Sequence, residues 1–214
     1  MRIEGEYVFD GPREEVWNIV RDPEVLATAL PGTQSLEKVA ENEYTGQMHV
    51  RIGPVSGVFS GRLFVSDEVP PESYTLSVDG RGAPGFAKGV GHVQLLEQGD
   101  GRTLLKYEGE MQVGGRLASV GQRLIDTAGR SMIGQGLDAL NEALKARQRA
   151  EEEGVEVEYK PPTEAEFAAA VARDVARDML PPPQTVGLAL AVAVVAFFLG
   201  FLLGRLGGSE CCED

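Results

Sequence analysis

The sequence predicts an α+β domain, a curved antiparallel sheet around a long C-terminal helix, followed by one transmembrane helix. Three observations carry this expectation. Short runs of alternating apolar and polar residues recur between turn signals from residue 2 to residue 113, as in antiparallel strands with one wet face. Over 116–146 the period changes to that of a helix. Finally, Val186 to Leu203 contains no charged residue, and at about 1.5 Å per residue it is long enough to cross a hydrocarbon core of about 30 Å with little to spare.

Residues 2–9 place Ile3, Gly5, Tyr7 and Phe9 on one side of a strand and Arg2, Glu4 and Glu6 on the other. Asp10-Gly11-Pro12 turns the chain into a short helix carrying Val16, Trp17, Ile19 and Val20, which Asp22-Pro23 ends. A second short helix around Val25–Leu30 stops at Pro31-Gly32. Strands are expected at 36–40, 43–52, 55–69, 73–81, 86–97 and 102–113, separated by Glu41-Asn42, Gly53-Pro54, Pro70-Pro71, Gly82–Gly85 and Gly99–Gly101. In the helix over 116–146, Leu117, Val120, Leu124, Ala128, Met132 and Leu140 form the apolar face. Gly121, Gly129 and Gly136 project onto the same stripe as Ile125 and Met132. Each costs a helix about 1 kcal/mol against Ala, so the stripe signals either close packing on the sheet or a space kept open there.

The front domain is thus expected over 1–146 and a linker over 147–162. An amphipathic helix is expected over 163–180, with a Thr163/Glu166 capping box and a Phe167/Val171/Val175/Met179 row. Its row could face the front domain, a partner or lipid. The membrane anchor is expected over 186–206. Arg173 and Arg177 precede the span and only Arg205 follows it, which favours a cytoplasmic front domain. The opening Met1-Arg2-Ile3-Glu4 has no signal-peptide core, in agreement with that side.

A net charge of −13 excludes a nucleic-acid footprint. Cys211 and Cys212 are the only cysteines and cannot staple the domain. His49 and His92 lie far apart in strand patterns without metal-ligand spacing, and neither a GxSxG nor an HExxH motif occurs. Gly80-Arg81-Gly82-Ala83-Pro84-Gly85 matches GxGxxG, but Pro84 and the strand that follows deny it the helix N-terminus a pyrophosphate needs. No catalytic residues are therefore expected. An acid–base enzyme would have to draw on His49, His92, Glu110 and Asp126.

The run Gly80 to Gly91, GRGAPGFAKGVG, resembles the signature of the carbon monoxide dehydrogenase G-subunit (CoxG) family, within the START-like (SRPBCC, helix-grip) superfamily. Matching stretches are Ile3-Glu4-Gly5 with Pro12–Trp17, Leu30-Pro31-Gly32, and Val113 through Ile125. The resemblance covers about residues 1–146 and implies a helix-grip fold with an apolar cavity. It also implies a non-enzymatic accessory protein that brings a CO dehydrogenase-type molybdenum hydroxylase to the cytoplasmic membrane. Its ligand would be a hydrophobic small molecule, a menaquinone or ubiquinone, with no covalent cofactor and no metal. The expected lining is Trp17, Pro84, Gly85, Phe86, Met111, Leu117, Gly121, Ile125, Gly129 and Met132, with Phe86 and Lys88 as the partner-docking surface. The alternatives are a polyketide cyclase-like enzyme of the same fold and a pure membrane anchor without ligand.

Overall fold

Turn chemistry and alternation produce a seven-stranded sheet with one face against a long helix. The structure is a computed structural model and describes residues 1–30, 32–153 and 164–179. The strands are β1 (Arg2–Phe9), β2 (Thr33–Ala40), β3 (Glu43–Ile52), β4 (Val55–Val69), β5 (Ser73–Gly82), β6 (Gly85–Glu97) and β7 (Thr103–Gly115). They run in the order β1-β7-β6-β5-β4-β3-β2, every neighbouring pair antiparallel. Helices α1 (Arg13–Ile19) and α2 (Pro23–Ala29) link β1 to β2, α3 (Gln122–Glu153) follows β7, and α4 (Glu164–Met179) is the last described element. Met1–Val175 form one compact unit, and a second begins at Ala176.

The strand expectations hold to within a few residues, whereas the long helix differs. It starts at Gln122 rather than 116, because Ala118–Val120 form a single 3-10 turn and Gly121 takes φ +93°, a left-handed conformation that L side chains avoid. Gly121 is therefore a corner residue before α3, not a member of its inner stripe. At the other end α3 continues to Glu153, through the first residues of the expected linker. Three contacts explain the extension: Arg147 Nη2 donates to Asp22 Oδ2 at 2.6 Å, Gln148 Nε2 donates to Glu15 Oε2 at 2.7 Å, and Ala150 is buried. Asp22 also caps α2, accepting from the Glu24 and Val25 amides at 3.0 and 3.3 Å, with Pro23 in the first turn.

The apolar residues divide into two cores along α3. In the larger, Ala139, Leu140, Ala143 and Leu144 of its second half pack on Phe9, Val65, Tyr74, Leu95 and Leu105, closed from outside by Val16, Trp17 and Ile19 of α1. In the smaller, Ala128, Leu124 and Met132 of its first half meet Ile52, Phe59 and Leu117. Hydrogen bonds pin the second half to β1 and its turn. Tyr7 donates to Asp138 Oδ1 at 2.8 Å, Asn141 Oδ1 accepts from the Asp10 amide at 2.9 Å, and Asn141 Nδ2 donates to Asp10 Oδ2 at 2.9 Å. Burial, then the Asp138 carboxylate, push the Tyr7 phenol upward, keeping it protonated as the donor.

Among the described residues, no helix is long and apolar enough to cross a membrane. The expected span at 186–206 and most of the linker lie outside the described residues.

Candidate functional site: a glycine-floored chamber

Between the two cores the inner face of the sheet loses its side chains. On β3 the intervening inward position is Gly46, on β4 Gly61, on β5 Gly80, on β6 Gly89 and Gly91, and on β7 Gly109. The register lines them up: Gly46 pairs with Gly61, Gly61 with Gly80, Gly80 with Ala87, and Gly91 with Gly109.

These glycines do two different jobs. A Cβ on Gly61 would lie 2.7 Å from the Asp79 carbonyl oxygen, and one on Gly109 2.5 Å from the Val90 oxygen. There the backbones come too close for any side chain, which lets the sheet curl. Over Gly80 and Gly91, in contrast, the nearest atoms to an added Cβ are single backbone oxygens at 3.8 and 3.5 Å. These positions are bare floor.

A second observation marks the space as unfilled. Val78 points to the inner face beside Gly80, in register with Leu63, yet it is 36% exposed. The opposite wall agrees, since a Cβ on Gly129 of α3 would meet only Met1 Cε, at 3.9 Å. Gly136 behaves otherwise, with Leu30 Cδ2 of α2 at 3.0 Å, so it serves close packing of two helices.

The chamber wall is apolar and deformable. Met111 of β7 and Met132 of α3 are half-buried beside the band, and thioether chains adapt to irregular shapes. Tyr107 brings a hydroxyl, its ring leaning over Gly5 into the place a Cβ there would take. Burial raises its pKa, against the nearby Arg130, so the phenol stays a neutral hydrogen-bonding group.

Of the residues expected to line a cavity, Met111, Ile125, Gly129 and Met132 border this space or its α3 wall. Leu117 belongs to the smaller core, and its amide donates to the Pro84 carbonyl at 2.9 Å. Pro84 and Gly85 form the corner beneath it: Pro84 is fully buried, and Gly85, at φ +142°, meets the Gly114 backbone too closely for a side chain. Two expected lining residues are elsewhere. Trp17 lies in the larger core, edge-on to Tyr74 at 5.7 Å with the Arg21 guanidinium 5.0 Å over its ring. Phe86 is on the convex face, 38% exposed, with its ring covering Gly114. The parity of β6 that sends Gly85, Ala87, Gly89 and Gly91 inward must send Phe86 and Lys88 outward.

The acid–base candidates do not converge. His49, His92 and Glu110 share the outward parity of their strands, with His49 Nε2 3.0 Å from Ser56 Oγ, while Asp126 is on α3. Among the described residues no group of three or more His, Cys, Asp or Glu could hold a metal ion.

The family model for the carbon monoxide dehydrogenase G-subunit (CoxG) matches residues 5–145, from β1 through most of α3. The chain belongs to that family. Among solved structures, a conserved protein from Geobacillus kaustophilus is 30% identical with a TM-score of 0.66, covering 68% of this chain and 95% of its own. A START superfamily protein from Mycobacterium smegmatis is 16% identical, TM-score 0.52, over 67% of this chain and 97% of its own. The ZhuI aromatase/cyclase from Streptomyces sp. R1128 is 14% identical, TM-score 0.54, over 71% and 97%. Likeness at those last identities shows the START-like fold alone. None of the curated proteins matches. In this CoxG-family chain the glycine signature Gly80–Gly91 thus acquires a structural meaning: its five glycines all take the inward parity of β5 and β6. Sequence reasoning missed Val78, Gly46, Gly61 and Gly109, although each has the same alternation relative to its neighbours.

Proposed function

We propose that this protein is a membrane-tethered, non-enzymatic accessory protein that binds a lipophilic ligand in the glycine-floored chamber and recruits a CO dehydrogenase-type molybdenum hydroxylase to the cytoplasmic membrane. The observation that carries the ligand reading is the bare inner floor at Gly80 and Gly91 beneath a wall of Val78, Met111 and Gly129. Flat apolar contact with backbone suits a planar ring, and the Tyr107 hydroxyl suits a carbonyl at its edge; a respiratory quinone has both parts. Binding here takes apolar area out of water at about 25 cal/mol per Å² without needing a charged partner. Membership of the CoxG family supports the partner class. The exposed Phe86 and the adjacent Lys88, whose Nζ is 2.8 Å from Asp79 Oδ2, offer a convex docking face remote from the chamber. The uncharged stretch Val186–Leu203 supplies the tether.

The test is to purify the full chain from native membranes, extract it with organic solvent and identify bound lipids and co-purifying proteins by mass spectrometry. A quinone in near-stoichiometric yield, with molybdenum hydroxylase polypeptides alongside, is the expected result. An empty extract, together with a failure of added ubiquinone to quench the single tryptophan, Trp17, would overturn the ligand reading.

A further inference from the structure

Helix α4 lies beyond the residues matched by the family, which end at 145. The G. kaustophilus structure is 95% covered by 68% of this chain, so most or all of α4 has no counterpart there. Its apolar row nevertheless has a seat on the domain. Val171 is 8% exposed and joins Ile52, Phe59, Leu117 and Ala128 in the smaller core, and Val175 packs against the same group. Ile52 and Phe59 are inner-face residues of the sheet, and Ala128 is on the inner stripe of α3. Val171 therefore sits between the two jaws that close on the chamber. A polar latch holds the helix there: Ser131 Oγ donates to Asp174 Oδ2 at 2.6 Å and accepts from Gln135 Nε2 at 2.9 Å.

We infer that α4 is an intramolecular occupant of the open side of the grip, and that it competes with the lipophilic ligand for the apolar surface around Phe59 and Leu117. This rests on the reading of the chamber as a lipophile site. The docked helix shields that surface while the chamber is empty, and an incoming apolar molecule displaces Val171 and Val175. Apparent affinity is then the intrinsic affinity reduced by the fraction of molecules whose α4 is undocked. The arrangement couples ligand binding to release of the segment that leads toward the C-terminus, a dependence that relatives ending at α3 would lack.

The experiment uses the full chain held in an amphipathic polymer and titrated with a ubiquinone bearing one isoprenoid unit, read by quenching of Trp17. The double variant V171D/V175D removes the apolar seat, and Ser131→Ala removes only the latch. If docked helix outweighs undocked by ten to one, the double variant binds about tenfold more tightly, and Ser131→Ala shifts in the same direction by less. If the double variant fails to fold, Ser131→Ala decides alone. Equal dissociation constants with clear quenching in every protein would overturn the competition and leave the ligand reading standing. Weaker binding by the variants would also overturn it, by making α4 part of the ligand's wall. No quenching in any protein would overturn the ligand reading and the competition together.

Discussion

Two glycines on the same face of α3, seven residues apart, make opposite predictions when each is changed to Leu. Both substitutions gain about 1 kcal/mol of helix propensity. At Gly129 the new side chain leaves its Cβ 3.9 Å from its only neighbour, Met1 Cε, and extends into unfilled apolar space. Full burial of a Leu is worth about 1.5–3 kcal/mol; half-buried, it adds about 1. Net stabilisation of about 2 kcal/mol raises the melting temperature by about 4–8 °C for a domain of this size. At Gly136 the same Cβ is 3.0 Å from Leu30 Cδ2, and overpacking of that kind costs about 1–3 kcal/mol. Gly136→Leu should therefore melt at or below the parent temperature. Thermal unfolding followed by circular dichroism ranks the three proteins, and the quinone titration on Trp17 should show weakened binding for Gly129→Leu with little change for Gly136→Leu. If Gly129→Leu is destabilised as much as Gly136→Leu, the space over Gly129 does not exist and the chamber reading fails on its α3 side.

Three further outcomes follow from the same geometry. Burial of Asp22 opposes its ionisation, but Arg147 and the Val25 and Glu24 amides outweigh it and hold the carboxyl below its usual range. Asp22→Ala should cost about 1 kcal/mol for the lost cap and up to about 1 more for the partly exposed ion pair, visible as a lower melting temperature at neutral pH. Because the folded pKa is depressed, that contribution is present in full above the unfolded value near 4 and is lost as pH falls through the folded one. The gap between parent and variant should therefore close in acid melts; a gap constant with pH would remove the charge from the account. A chain cut after Glu153 should melt higher than one cut after Ala146, which lacks the Arg147 and Gln148 bonds and the buried Ala150, by on the order of 2 kcal/mol. Finally, the full chain should sediment with membranes and the chain cut after Glu153 should not; full-length protein in the soluble fraction without detergent would refute the tether.

Local signals located the strands because each is bounded by residues whose turn chemistry is nearly independent of the rest of the molecule. Gly53-Pro54 and Gly99–Gly101 punctuate the sheet where the alternation predicts, with positive φ at Gly53 and Gly101. The ends of α3 resisted the same treatment because tertiary contacts set them. Leu117 and Val120 have helical spacing with Leu124, but Leu117 turns into the smaller core and its amide goes to Pro84, so the helix cannot begin until Gly121 has reversed the chain. At the far end Arg147 and Gln148 read as solvated linker residues. Their partners, Asp22 and Glu15, are more than 120 positions away in sequence, and both lie on the short helices that α3 covers.

The candidate site was legible as composition but not as geometry. The density of glycine between 80 and 91 announces close backbone approach, yet the property that matters is parity, and parity acquires meaning only once the inward face of each strand is known. Phe86 shows the consequence. It is the one aromatic residue in the run and therefore attracts a binding role, but a strand that buries Gly85 and Ala87 must present Phe86 to solvent. Tyr107 and Val78, which carry no motif, have the opposite fate. A floor of this kind also limits what the chamber can do. Backbone oxygens and amides in a sheet are committed to their ladder, so a glycine band adds shape and apolar contact but little free polar chemistry. With His49, His92 and Glu110 on the convex face, specificity for a ligand would come from shape and from the few side chains at the rim, Tyr107 foremost. A fold built this way suits holding and handing over an apolar molecule better than transforming it. Tyr107→Phe should therefore weaken binding of a quinone by about 1 kcal/mol, the worth of one hydrogen bond, while leaving affinity for an apolar molecule of the same shape without carbonyls unchanged. Equal losses for both ligands would mean that Tyr107 shapes the wall and bonds to nothing.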